Sequence, residues 1–372
     1  MKILHINSFF STGNFYNNLF QEQIKSGFDL NVYIPAKKGF DQKNRDYGDY
    51  SIISSVLHRF DRFFFKRKQA ILYKDIKSRI SLEKIDIIHA HSLFTNGYLA
   101  LTLKKNFHIP YIVTIRNTDV NVFFKYMIHL RKYGIEVMEQ ANRLIFLCPK
   151  YRDFVIEKYI PEKSQKIFFE KSLIIPNGID KFWFENKKSN KKKPKEKKVK
   201  LLYIGNIDKN KNLLTTLKAI IILHNKGYNI EYTVVGKIRD QFIYNKLKRN
   251  SYTTYKKFRP KEKLLEIYEE NDIFVMPSKT ETFGRVYPEA MSQGLPVIYS
   301  KGQGFDGQFP EGIVGFHVNC THPEDIAEKV ECILKNYEQI SADSLENVDI
   351  FKWELISEQY SNLYFNLKKE KV

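Results

Sequence analysis

The chain has 372 residues, 43% of them hydrophobic and 28% charged, with a formal net charge of +19. That length exceeds one ordinary core and suits two α/β domains, while the excess of base favours nucleotides, nucleic acid or an acidic membrane surface without choosing among them. No run of about 18 apolar residues is present, so no transmembrane helix is expected, and three widely spaced cysteines, Cys148, Cys320 and Cys332, argue against a disulfide framework or zinc site and fit a reducing cytoplasm.

In chain order, Lys2–Asn7 reads as a first strand and turns polar too soon for a secretory leader. Ser11-Thr12-Gly13-Asn14 follows it. Gly13 is placed for phosphate or acceptor contact, although a plain β-α turn explains one glycine equally well. Further strands are expected at Leu30–Ile34, Ile87–His89, Tyr111–Ile115, Arg143–Leu147, Lys171–Ile175, Lys200–Ile204, Glu231–Val235, Ile273–Met276 and Pro296–Ser300. Several are apolar at consecutive positions, as parallel strands covered on both faces require. Helical patterns lie between them, one with Leu213, Leu217, Ile220 and Ile221 on a face, which argues for doubly wound parallel sheets.

Three stretches carry more than one reading. His58 to Lys68 interleaves Phe60, Phe63 and Phe64 with cations; it reads either as a helix burying its phenyl rings or as an anionic-membrane contact, with nucleic acid below both. His89 and His91 share a strand face and read as hydrogen-bonded structural histidines, since further metal ligands are not near them in sequence. From Lys187 to Lys200 there are nine lysines against one glutamate, the composition of a flexible, solvated insert.

The chemistry concentrates between Pro277 and Ile298. A strand ends at Met276, a loop with Gly284 follows, and a helix is expected from about Arg285 to Gln293, closed by Gly294. The N–H groups of Gly284, Arg285 and Val286 then stand at a helix N-terminus beside the carboxyl end of a parallel strand, which is an anion site suited to a pyrophosphate. Glu281 and Glu289 flank it, and a carboxylate accepts from two vicinal hydroxyls, so the pair suits a sugar and a ribose. Gly302-Gln303-Gly304-Phe305-Asp306-Gly307 matches a dinucleotide fingerprint, but Pro310 and Gly312 interrupt the helix that should follow.

The run Glu281-Thr282-Phe283-Gly284 … Glu289-Ala290-Met291 … Gly294-Leu295-Pro296-Val297-Ile298 resembles the signature of retaining family-4 glycosyltransferases of GT-B fold (glycosyl transferases group 1). Asp86–His91, the Pro176-Asn177-Gly178-Ile179-Asp180 run and the Gly205–Lys211 loop resemble that family's other motifs, in its order. The resemblance implies two Rossmann-like β/α/β domains facing each other across a cleft. An acceptor domain would span 1–173, with a C-terminal helix 353–372 packing back on it, and a donor domain 174–352 would carry the Lys-rich insert at 187–200. It implies that Glu289 holds the donor ribose, Glu281 the transferred sugar, and Phe283, Gly284, Arg285 and Val286 the sugar and phosphates, with Lys211 stabilising the leaving diphosphate. One such donor is worth ~2.7–4 kcal/mol of barrier.

Two positions depart from the family. Asn206 replaces the loop arginine, leaving more phosphate charge to Lys211 with help from Lys209, and lysine lacks the bidentate fork. Arg116 stands where many relatives carry histidine; with Asp119 it is a catalytic candidate, a salt bridge between the two being the alternative. The expected activity is retaining transfer of a hexose-type sugar to a glycan or polyprenyl-linked acceptor in bacterial surface polysaccharide assembly. The donor would be a UDP-sugar in preference to a GDP-sugar, with no metal and no tightly bound cofactor. The expected location is cytoplasmic, extending to the inner membrane face, with no nucleic-acid partner. An epimerase or phosphorylase on a similar fold, and a basic nucleic-acid-binding protein, are the rivals.

Overall fold

The computed structural model describes residues 1–12, 14–41, 46–189, 191–194 and 197–370. Gly13, a candidate above, lies outside them. The chain forms two compact units. Unit 1 comprises Met1–Leu147, Arg152–Pro176 and Trp353–Val372; unit 2 comprises Cys148–Tyr151 and Asn177–Lys352.

Unit 1 holds a seven-stranded sheet: β1 (Lys2–Ile6), β2 (Asp29–Lys37), β3 (Ser51–Leu57), β4 (Ile87–Ala90), β5 (Tyr111–Thr114), β6 (Arg143–Phe146) and β7 (Ser172–Ile174), in the order β3-β2-β1-β4-β5-β6-β7. Unit 2 holds six: β8 (Lys198–Ile204), β9 (Asn229–Gly236), β10 (Thr253–Lys257), β11 (Ile273–Val275), β12 (Val297–Ser300) and β13 (Gly315–Val318), in the order β10-β9-β8-β11-β12-β13. Every strand pairing among the described residues is parallel, and helices form most of the crossovers, the β12–β13 connection being made of turns, so each unit is a doubly wound α/β layer. The central strands are buried along most of their length, as their apolar runs demand.

All ten expected strands form. The three that were not expected, β3, β10 and β13, are all edge strands. Their residues are mostly half-exposed, so no continuous apolar run marks them. The helix Trp353–Glu370 buries Trp353, Ile356, Tyr360, Leu363 and Tyr364 in the core of unit 1 with Ile3, Phe20 and Ile87. The Tyr364 hydroxyl accepts from Gln23 Nε2 at 3.2 Å and shares a hydrogen bond with His89 Nδ1 at 2.7 Å, which fixes this last helix against β4.

Two expectations need correction. In helix Leu213–Asn225 the core face takes Leu213, Leu217 and Ile220, but Ile221 is exposed. The Lys-rich stretch is not a free insert in its described residues. Lys187 pairs with Asp349 at 3.1 Å, and Lys188 with Glu269 at 3.2 Å. Lys191 Nζ donates to the carbonyls of Tyr268, Glu269 and Asn271, and Lys198–Lys200 already belong to β8. Helix-end carbonyls and nearby acids offset the mutual repulsion that composition alone suggests.

Candidate functional site

In unit 2 the strand order reverses at β8, which has β9 on one side and β11 on the other. Loops leaving the carboxyl ends of β8 and β11 therefore diverge and leave a crevice. A pocket of about 450 Å³ opens there. The first loop contributes Gly205, Asn206 and Lys211, and the second contributes Glu281, Thr282, Phe283, Gly284, Arg285 and Val286, with Glu289 from the helix beyond. The structure thus brings together seven of the sequence candidates from this unit with Glu289.

The pocket contains a preformed ion pair. Lys211 Nζ donates to Glu281 Oε2 at 2.7 Å, with the two side chains 19% and 14% exposed. Each loop is braced so that the pair keeps its place. Asp208 Oδ1 accepts the N–H groups of Asn210 at 2.9 Å and Lys211 at 3.1 Å, turning the first loop. Asn210 then bridges to the second loop: its Nδ2 donates to the Thr280 carbonyl, and its Oδ1 accepts from the Thr280 N–H and hydroxyl at 3.0 and 2.7 Å. From the other side, Gln303 Oε1 accepts the Glu281 N–H at 3.0 Å and the Glu281 carbonyl accepts the Gly304 N–H at 2.8 Å. A Cβ on Gly304 would collide with the Thr282–Phe283 backbone. The glycine-rich stretch 302–307 continues in turns with no helix, and its work here is to support Glu281.

Gly284 lies at φ +76°, a conformation that favours glycine, and the chain then enters the helix Val286–Met291. This helix is shorter than the expected 285–293, because residues 292–294 form a turn closed by Gly294 at φ +75°. In its first turn Pro288 has no N–H and those of Tyr287 and Glu289 donate to the Gly284 and Arg285 carbonyls at 3.0 and 3.1 Å, which leaves the Val286 N–H without an intrahelical acceptor. Phe283 is buried against Phe351, and the Tyr287 hydroxyl donates to the Met276 carbonyl at 2.6 Å, which anchors helix to strand. Glu289 has its carboxyl pushed up to about 7, chiefly by desolvation, with Arg285 opposing that shift and Asp180 adding to it. The Asn206 carbonyl accepts from the Tyr203 hydroxyl at 2.6 Å. Lys209 is exposed and is not among the pocket-lining residues.

The unit 1 candidates are held differently. Asp119 is 1% exposed, and its carboxylate accepts the backbone N–H groups of Leu93 at 2.9 Å, Phe94 at 3.2 Å and Arg116 at 2.9 Å. Burial pushes it up to about 6, against those three donors and the Arg116 charge. The contact between Arg116 and Asp119 thus runs through the Arg116 backbone, while the guanidinium lies 5.5 Å over the Tyr16 ring. His5 joins His89 and His91 in a fully buried group whose ring nitrogens lie within 4.8 Å of one another. His5 Nδ1 and His91 Nε2 share a hydrogen bond of 2.9 Å, and His89 Nε2 reaches the Thr114 hydroxyl at 3.0 Å. Burial holds all three well below the usual imidazole range, so they are neutral at pH 7.

Sequence reasoning missed Asn210, Asp208 and Gln303. Asp208 and Asn210 signal a turn, but nothing local announces that Asn210 would bond a loop 70 positions away.

The family model described as glycosyltransferase family 4 matches residues 12–181, and that described as glycosyl transferases group 1 matches 184–347. The alpha-monoglucosyldiacylglycerol synthase of Acholeplasma laidlawii is 23% identical over 310 residues, covering 76% of each chain. The capsular polysaccharide biosynthesis glycosyltransferase CapM of Staphylococcus aureus is 29% identical over 212 residues, covering 52% of this chain and 54% of its own. Among solved structures, Anabaena HepE in complex with UDP superposes with a TM-score of 0.71 at 15% identity, covering 98% of this chain and 100% of that one. With two Rossmann-like units, two consecutive family matches and relatives of this kind, the chain belongs to the group 1, family-4 type glycosyltransferases and has the GT-B fold.

Proposed function

We propose that the enzyme is a retaining hexosyltransferase that takes a UDP-sugar in preference to a GDP-sugar. It passes the sugar to a hydroxyl of a glycan or polyprenyl-linked acceptor in bacterial surface polysaccharide assembly. Unit 2 is the donor-binding domain and unit 1 the acceptor-binding domain. The observation that carries this reading is the Lys211–Glu281 pair at 2.7 Å in the same pocket as Glu289. A diphosphate entering the pocket competes for Lys211 and frees Glu281 to accept from sugar hydroxyls. Glu289 accepts from the ribose diol, and the N–H groups around Gly284 meet phosphate and sugar oxygens. Lys211 and these dipoles are positioned before the bond breaks, which is the condition for electrostatic stabilisation of a leaving diphosphate, with no metal required.

The acceptor hydroxyl attacks the anomeric carbon on the face from which the diphosphate leaves, and the departing phosphate oxygen takes its proton, so the anomeric configuration is kept. No covalent nucleophile is assigned, because both glutamates are used in binding. Arg116 contributes its charge to acceptor binding, and Asp119 acts through the backbone it holds. The UDP complex of HepE supports the choice of base, and CapM and the Acholeplasma glycolipid synthase support the acceptor class.

Calorimetry with UDP, GDP and ADP on the wild type and Glu289→Ala tests the donor site. Binding selective for UDP and weakened by the substitution supports it; equal binding of all three, or no effect of Glu289→Ala, overturns it. NMR of the product anomer tests retention.

A further inference from the structure

We infer that an exposed aromatic-basic face of unit 1, built from the turn 59–68 and the segment 122–132, docks on the surface of an anionic phospholipid bilayer. The first reading of these phenyl rings, as core residues of a helix, does not hold. Phe60, Phe63 and Phe64 are 67%, 65% and 58% exposed, and Tyr126 and Ile128 are 69% and 65% exposed. Single exposed apolar residues are ordinary, but a contiguous group marks an interaction surface. The two segments meet here: Phe63 and Phe64 line the same groove of about 700 Å³ as Phe123 and Met127, which flank Tyr126 and Ile128 in the chain.

The face is constructed, not frayed. Asp61 takes the inward position of the turn: it is buried, it accepts the His58 N–H at 2.7 Å, and it pairs with Arg67 at 3.5 Å. With Asp61 inward, the rings on either side of it point to solvent. At the next helix, Phe65 stacks on Tyr133 at 5.9 Å and Lys66 lies over the Tyr133 ring at 4.1 Å. Charge selects the partner. Lys66, Arg67, Lys68 and Lys132 line the groove without a carboxylate among the lining residues, and exposed Arg59 and Lys125 belong to the two segments. Lys68 is half-sunk, 3.4 Å from the Thr95 hydroxyl, and burial lowers its pKa; a phosphate headgroup beside it offsets that desolvation. Aliphatic Ile128 and Val122 have no ring face for a nucleobase but suit the acyl boundary, where phenyl rings insert and cations stay at headgroup level.

The test uses the full chain and does not depend on the donor reading. Flotation is measured with phosphatidylcholine vesicles with and without phosphatidylglycerol, at low and high salt. The wild type is expected to float only with the anionic vesicles and less so as salt rises. Phe63→Ser with Phe64→Ser should lower partitioning about tenfold at every salt concentration. Each of Lys125→Glu and Lys132→Glu should lower it about fivefold at low salt. UDP affinity and melting temperature should stay at wild-type values in all these variants. As a second readout, Phe64→Trp should shift its emission to the blue with anionic vesicles. Absence of binding at low salt, or binding that neither class of variant weakens, overturns the inference. So does tighter binding to an oligonucleotide that the same variants abolish, which would assign the face to nucleic acid.

Discussion

The two sheets reverse strand order in the same way, at β1/β4 in unit 1 and at β8/β11 in unit 2, yet the ionisable groups at the two reversals are treated in opposite ways. At β8/β11 they face a pocket: Lys211, Glu281 and Glu289 line open volume and engage each other or solvent. At β1/β4 they are sunk. His5 and His89 sit opposite each other on β1 and β4, His91 bonds His5, and nearby Asp119 is capped by three backbone donors. A strand reversal makes a crevice available, and side-chain packing decides whether it binds a ligand or becomes core. In unit 1 the Asp119 carboxylate is spent on holding loops; in unit 2 Lys211 and Glu281 pair at the edge of open volume.

The largest effect that sharpens this contrast is expected from Lys211→Ala. Transfer should slow by roughly 10²–10³-fold in kcat, with little change in melting temperature. A large loss of stability with unchanged kcat would make the pair structural and erase the distinction. Asp119→Ala should do the reverse. Three N–H groups lose their acceptor, so urea unfolding should show about 3 kcal/mol of lost stability, while UDP affinity measured by calorimetry is retained. Asn210→Ala removes the bridge between the two pocket loops and should weaken UDP-sugar binding by about tenfold.

The pH dependences should have opposite signs. His5 falls from its ordinary 6.5 to about 3 in the folded state, and His89 and His91 shift the same way. The unfolded chain binds more protons in that window, so stability is present above 6.5 and is lost as pH drops towards 3. Denaturant midpoints that do not move with acid above pH ~4 would show the cluster is not buried neutral. Glu289 is raised from 4.5 to about 7, so the folded state binds the extra proton and stability falls as pH rises through that interval. Glu289→Gln should remove this slope. The smallest effect follows from the same group: UDP binding near pH 7 should release a fraction of a proton as ribose hydroxyls stabilise the carboxylate. Calorimetry in buffers of different ionisation enthalpy reads this directly, and proton uptake would contradict the ribose assignment.

The sequence by itself determined the central strands, because parallel strands covered on both faces carry apolar residues at consecutive positions, as Tyr111–Val113 and Leu201–Ile204 do. It also determined the pocket-bearing run from Glu281 to Glu289, since a glycine at positive φ followed by a helix start is a local requirement. The edge strands β3, β10 and β13 were not legible, because half-exposed edges carry no continuous apolar run. Only the tertiary structure decided three further points. Asn210 and Gln303 hold Glu281 in place, the Lys-rich stretch is fastened in its described residues, and Asp61 turns inward so that Phe60, Phe63 and Phe64 turn out. The first two depend on partners brought together from distant parts of the chain, and hydrogen bonds between such partners leave no periodic trace in the order of residues; Asp61 is held by its sequence neighbours His58 and Arg67, a capping contact that hydrophobic periodicity does not register.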